Sequence, residues 1–256
     1  PPPDPLWSRG LGDVYKRQPF HLPFVRTIKD AKGTLSSFWI VVWLMIGLGE
    51  LKTIYSFLTA EILFVLSLLA ILSAIYASLA SLGQKVNSLF VASATLAHSS
   101  LIWGLLQVFT SFPKWGIPFG ITLGLVIGGI SLAFSFVQMR YGWKTIGNLP
   151  GLLSTMPRLG VVMVLLVSFA LFLPLFPAYS GLGLMPTIET QDVGIVMISL
   201  LFSVVWLGGG WYFIKMLHQT AFGEARTDVP YFDLGPKEVF SISVLLLAAA
   251  YSGIIL

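Results

Sequence analysis

Residues 58 to 82 read LTAEILFVLSLLAILSAIYASLASL, twenty-five residues in which Glu61 is the sole charge. A hydrocarbon core roughly 30 Å thick is crossed by about 20 helical residues rising 1.5 Å each. This run is therefore long and apolar enough to span a bilayer as one helix. Apolar segments of comparable length lie near 35 to 56, 88 to 111, 117 to 140, 158 to 179, 190 to 216 and 236 to 256. The pattern predicts an all-α, polytopic transmembrane helix bundle of about seven spans.

Composition agrees. Of 256 residues, 56% are hydrophobic and 10% charged, and the mean hydropathy is +0.86; an average soluble domain carries roughly 25% charged residues. A soluble core could not hide that much apolar surface. There are no cysteines, which removes disulfides, thiolate metal ligands, iron–sulfur ligation and cysteine nucleophiles together. The formal charge of +4 does not point to nucleic acid, because the basic residues sit singly between apolar runs.

Those basic residues report topology instead. One side of the membrane takes Arg26, Lys29 and Lys32, then Lys85, then Arg140, Lys144 and Arg158, then Lys215, Arg226 and Lys237, ten in all. The other side takes Lys114 and Lys52. The positive-inside rule places the ten in the cytoplasm, as an odd number of spans requires.

Residues 1 to 18, PPPDPLWSRGLGDVYKRQ, are polar and rich in Pro and Gly, and they stop abruptly at PFHLPF. GLGDVYKRQ resembles translated library-adapter DNA. The head is therefore expected to be foreign, with residues 19 to 256 a fragment of the transmembrane domain whose native chain continues upstream of Pro19. The alternative is a genuine disordered extension.

The fifth span ends in LFLPLFPAYSGLGLMP, residues 171 to 186, with Pro174, Pro177, Gly181 and Gly183. Backbone that leaves the helix at membrane depth needs partners in protein or in a wet cavity. These residues read either as a discontinuous helix or as an apolar exit loop.

Ionisable and polar groups inside the spans are the candidate functional residues. His98 lies ten residues into the third span, about 15 Å deep and so near the midplane. Thr95, Ser99 and Ser100 surround it in SATLAHSS, and Gln107 continues roughly its face. A titratable group at that depth points to a proton or ion pathway; the competing reading is a neutral imidazole gluing two helices. Lys52, beside Glu50 in GLGELKTIY, falls about 24 Å along its helix. It reads either as an anchor snorkelling to the far headgroups or as a buried lysine that exchanges protons. Lys85 at the near rim reads first as a topology signal. Asp233, Glu224, Asp192 and Asp228 read as solvated. No paired carboxylates, HExxH, P-loop, GxSxG or GxGxxG stands in a context that could use it, so no catalytic residue, cofactor or metal is expected.

The order of landmarks resembles a known family. PFH at 19 to 21, LKTIY at 51 to 55, SATLAHSS at 93 to 100, NLPGLLSTMPRLG at 148 to 160, the Pro/Gly break and LHQTAFGE at 217 to 224 together look like the carboxyl-terminal half of the antiporter-like membrane subunits. These are shared by complex I, membrane-bound hydrogenases and multisubunit cation/proton antiporters. The resemblance implies membership of a multisubunit complex in a prokaryotic inner membrane, with other membrane subunits and the lipid bilayer as partners. It implies a role in proton or Na+/H+ translocation, and at most a non-catalytic place in an NADH:quinone oxidoreductase-like or antiporter complex. His98 and Lys52 match residues of the family's polar axis. Departures stand beside the match. The family's basic residue before the Ser/Thr cluster falls near Ser88, with Lys85 one turn earlier, and its charged residue after the Pro/Gly break falls near Leu182. The alternative function is a non-conducting scaffold for a soluble partner of redox or hydratase type.

Overall fold

In a computed structural model, residues 22–31, 33–108, 112–148, 150–173, 193–225, 227 and 229–254 are described. The foreign-looking head, the Pro/Gly break with Leu182, and Lys32, Arg226, Asp192 and Asp228 lie outside them. The described chain is helical: α1 (Leu22–Asp30), α2 (Leu35–Ile54), α3 (Ala60–Gly83), α4 (Asn87–Val108), α5 (Phe112–Tyr141), α6 (Leu152–Thr155), α7 (Pro157–Phe172), α8 (Val193–Ala221) and α9 (Pro236–Ile254). Seven of these, all but α1 and α6, coincide with the seven spans read from hydropathy. By length and composition alone, Leu35–Phe57, Ala60–Gly83 and Lys114–Tyr141 qualify as membrane crossings, and Pro157–Phe172 is a shorter apolar helix. The chain is an integral, multi-pass membrane protein.

Helices α4 and α5 form the centre. Helix α4 packs against α1, α3, α5 and α8, and α5 against α2, α4, α7 and α9. Water cannot drive apolar helices together inside lipid, so small residues and hydroxyl pairs fix such contacts. Ser36 on α2 meets Ser131 on α5 at 2.8 Å, and Thr122 on α5 meets Ser252 on α9 at 2.7 Å. Helices α2 and α3 are joined by a short turn in which the Thr59 hydroxyl accepts from Ile62 N and caps α3.

The basic residues gather at one end, as the topology argument requires. There Val86 and Thr145 form an antiparallel bridge, Asn87 N donates to Lys144 O and Ile146 N to Lys85 O. Arg140 pairs with Glu238 and donates to the Phe232 and Asp233 carbonyls, while Arg158 donates to Leu234 O. The opposite end carries Lys114 and Lys52, where the Tyr55 and Phe112 rings lie 5.6 Å apart.

Two features go beyond the sequence reading or depart from it. Ahead of the first apolar run, where the sequence reading marked no span, lies helix α1, with Phe24 and Ile28 one turn apart and buried. Asp233, read as solvated, instead accepts from the backbone N–H groups of Arg158, Leu159 and Leu234. It thereby caps the exposed donors at the start of α7, where a carboxylate also meets the positive end of the helix dipole.

Candidate functional site

Residues 206 to 213 of α8 read WLGGGWYF, and the glycine triplet faces three neighbouring helices. A Cβ on Gly208 would stand 3.9 Å from Ser78 of α3, one on Gly209 3.3 Å from His98 Cε1 of α4, and one on Gly210 3.5 Å from Leu171 of α7. Contact at Gly208 and Gly210 is ordinary, whereas at Gly209 a side chain would press on the imidazole, so Gly209 is where the missing side chain lets α4 close on α8 at mid-depth.

His98 is buried at that junction. Its Nδ1 lies 2.8 Å from the Tyr212 hydroxyl and 3.1 Å from Ala94 O. Either tautomer is accommodated: Tyr212 donates to a bare Nδ1, or a protonated Nδ1 donates to the Ala94 carbonyl. Tyr212 is buried as well, its ring edge-on to Phe90 and to the imidazole, and Phe213 covers the other side at 5.5 Å. Tyr212 and Gly209 escape a search for ionisable groups. The signal that marks them is the triplet followed by two aromatics, a spacing that sets a hydroxyl one turn beyond a gap.

From His98 a seam of hydroxyls leads toward the basic end. Ser81 on α3 donates to Ser93 on α4 at 2.8 Å. Ser78, one turn deeper, is buried with its hydroxyl unbonded among the described residues. At the mouth Lys215 Nζ donates to Leu82 O at 2.8 Å, three residues before the exposed Lys85.

Away from the basic end, α4 turns a different face to a second feature. Ser99 and Ser100 line a cavity of 260 Å³ with Trp103 and, from α2, Gly47 and Glu50. Water needs about 30 Å³ per molecule and polar partners, and both are present. A further cavity of 250 Å³ opens at the basic end among Lys29, Asp30, Ser36, Ser88, Ser135 and Lys144.

The predicted residues therefore do not form one face. His98 looks to α8, whereas Ser99 and Ser100 look toward α2. Thr95 is buried with its hydroxyl turned back on Val91 O, so it offers no hydrogen to His98. The Gln107 side chain lies outside what is described. Lys52 is exposed at the end of α2 and makes no hydrogen bond or ion pair among the described residues. Among the described residues there is no group of three His, Cys, Asp or Glu able to hold a metal.

No family model matches the chain. It is similar to F(420)H(2) dehydrogenase subunit M of Methanosarcina mazei, 26% identical over 194 residues, which covers 74% of this chain and 38% of that protein. It is 28% identical over 196 residues to NADH-quinone oxidoreductase subunit M of Rickettsia conorii, which covers 73% of this chain and again 38% of the relative. Respiratory complex I from Thermus thermophilus contains a chain of similar fold, with a TM-score of 0.59 at 19% identity, covering 86% of this chain and 46% of that one. The Mrp complex from Dietzia gives a TM-score of 0.52 at 16% identity, covering 70% and 33%. The chain spans about 38% of the length of these curated relatives.

Proposed function

We propose that this chain, similar in sequence and fold to the antiporter-like membrane subunits, is a membrane subunit of a larger complex and takes part in moving protons, or protons against Na+, across a prokaryotic cell membrane. The observation that carries the reading is the His98–Tyr212 hydrogen bond, 2.8 Å long at mid-depth, set between two polar features of opposite direction. Ionisable groups are costly inside hydrocarbon, and a paired one facing the bundle interior is the usual mark of a proton relay.

The pathway runs from the mouth at Lys215 and Lys85 along Ser81, Ser93 and Ser78 to the imidazole. Hydroxyls both donate and accept, so they pass a proton by reorienting, as a chain of waters does. His98 takes it on one ring nitrogen and releases it from the other. The same turn of α4 carries Ser99 and Ser100, whose cavity leads past Glu50 to the far end near Lys52. Ser78, with its free hydroxyl, and the serine cavity are where waters would complete the chain. Changes in neighbouring subunits that hydrate or dry those two places would gate it.

Tyr212→Phe tests the arrangement while leaving His98 in place. It removes one hydrogen bond of about 1 kcal/mol, and tenfold in rate is 1.36 kcal/mol. Proton uptake by the reconstituted complex is therefore expected to fall about fivefold, with assembly unchanged. Uptake equal to wild type would remove Tyr212 from the relay. A complex that assembles with a soluble partner, and moves no protons with or without the substitution, would favour the scaffold reading.

A further inference from the structure

The outer face of α8 carries a feature that shares Lys215 with the relay and otherwise lies apart from it. Between α7 and α8 runs an open groove of 770 Å³, lined by Phe172, Trp206, Trp211 and Ile214 among others. At its upper end stand Lys215 and His218. Trp211 is 70% exposed and Ile214 57%, so nothing described covers this face.

We infer that this groove is a binding site for one anionic phospholipid of the cytoplasmic leaflet, with its phosphate at Lys215 and His218 and its acyl chains lying down α8 to Trp206. Two observations support this occupant. The first is depth. Nine residues separate Trp206 from Lys215, about 14 Å of helix, and one leaflet of hydrocarbon is about half of 30 Å. The groove thus runs from headgroup level to the midplane, the level at which Gly209 meets His98.

The second is charge. Lys215 is held at the rim because its ammonium gives one hydrogen to Leu82 O at 2.8 Å, which leaves two for a ligand. His218 lies one turn further on and is exposed. No described residue lining the groove is acidic. The site also sits at the end where the chain gathers its basic residues, the side on which anionic lipids give membranes their negative surface potential. A neutral lipid would leave this cationic rim uncompensated.

The test uses the full-length protein reconstituted in phosphatidylcholine vesicles that contain an equal small fraction of either phosphatidylglycerol or phosphatidylcholine brominated in mid-chain. Bromine quenches nearby tryptophan, and Trp211→Phe isolates the contribution of the groove. Quenching attributable to Trp211 is expected to be several-fold stronger with the brominated phosphatidylglycerol. In the Lys215→Gln, His218→Gln double variant it should fall to the phosphatidylcholine level. Lys215→Arg, which keeps the charge and the contact with Leu82, should preserve the preference and so guards against loss through misfolding. Equal quenching by both lipids would mean ordinary boundary lipid and overturn the site. Absence of quenching by either would mean that protein fills the groove, and would overturn it too. The inference does not depend on conduction, because lipid selectivity is read without any proton flux.

Discussion

Gly151→Ala is expected to cost about 2 to 5 kcal/mol of stability, against about 1 to 2 kcal/mol for Gly142→Ala. Both glycines have positive φ, +76° and +69°, and an L-residue there is strained by roughly 1 to 2 kcal/mol. The two differ in what surrounds them. A Cβ on Gly142 meets nothing within 4 Å, whereas one on Gly151 would stand 2.8 Å from Gly223 O and 3.1 Å from Ala225 N. Those neighbours are backbone and cannot rotate aside, so a further 1 to 3 kcal/mol of overpacking is expected. Gly151 also donates to Phe222 O and accepts from Ser154 N, joining the entry of α6 and α7 to the exit of α8. Reversible unfolding of the full-length protein in mixed micelles measures both variants. Equal losses would show that the backbone of residues 223 to 225 yields, and that this junction is soft.

His98→Gln should reduce proton uptake by the reconstituted complex to less than about a tenth of wild type, because an obligatory titratable carrier has been replaced by an amide that never ionises. Gln keeps a hydrogen-bonding group opposite Tyr212 and fills much of the same space beside Gly209, so it separates carriage from packing. His98→Ala should conduct equally poorly and also lose stability, since it empties a buried position and strands the Tyr212 hydroxyl. If His98→Ala loses assembly while His98→Gln both assembles and conducts normally, the imidazole is packing glue between α4 and α8, and its role as carrier is wrong.

The two substitutions also mark where sequence suffices and where it stops. Span positions were legible because a bilayer demands long apolar runs whatever lies beside them. The gathering of Lys85, Arg140, Lys144 and Arg158 at one end was legible for the same kind of reason, since it answers to the membrane and not to a neighbour. His98 stood out as a titratable group at midplane depth. Which way each helix turns was not legible. Lipid is as apolar as leucine, so no hydrophobic stripe records rotation. That His98 turns to α8 while its neighbour Ser99 turns to α2 could not be read from the sequence, and pairings such as Thr122 with Ser252, 130 residues apart, left no local trace. Tyr212 was hidden because tyrosine is unremarked in a span until its hydroxyl has an address. Asp233 was hidden because its cap joins residues 75 apart. Lys52 was read two ways from depth alone; its exposed position at the end of α2 accords with the anchor, and its part in proton movement remains a proposal that rests on the family resemblance. The Pro/Gly break at Pro174, Pro177, Gly181 and Gly183 lies outside the described residues.

The central claim is tested most directly by tagging the full-length protein, isolating its assembly from native membranes in mild detergent, reconstituting it and following internal pH with a trapped dye under an imposed ion gradient. The account predicts co-purification with further membrane subunits, together with proton movement that a protonophore short-circuits and that His98→Gln suppresses. An assembly of intact composition through which wild-type protein moves no protons under any imposed gradient would contradict it.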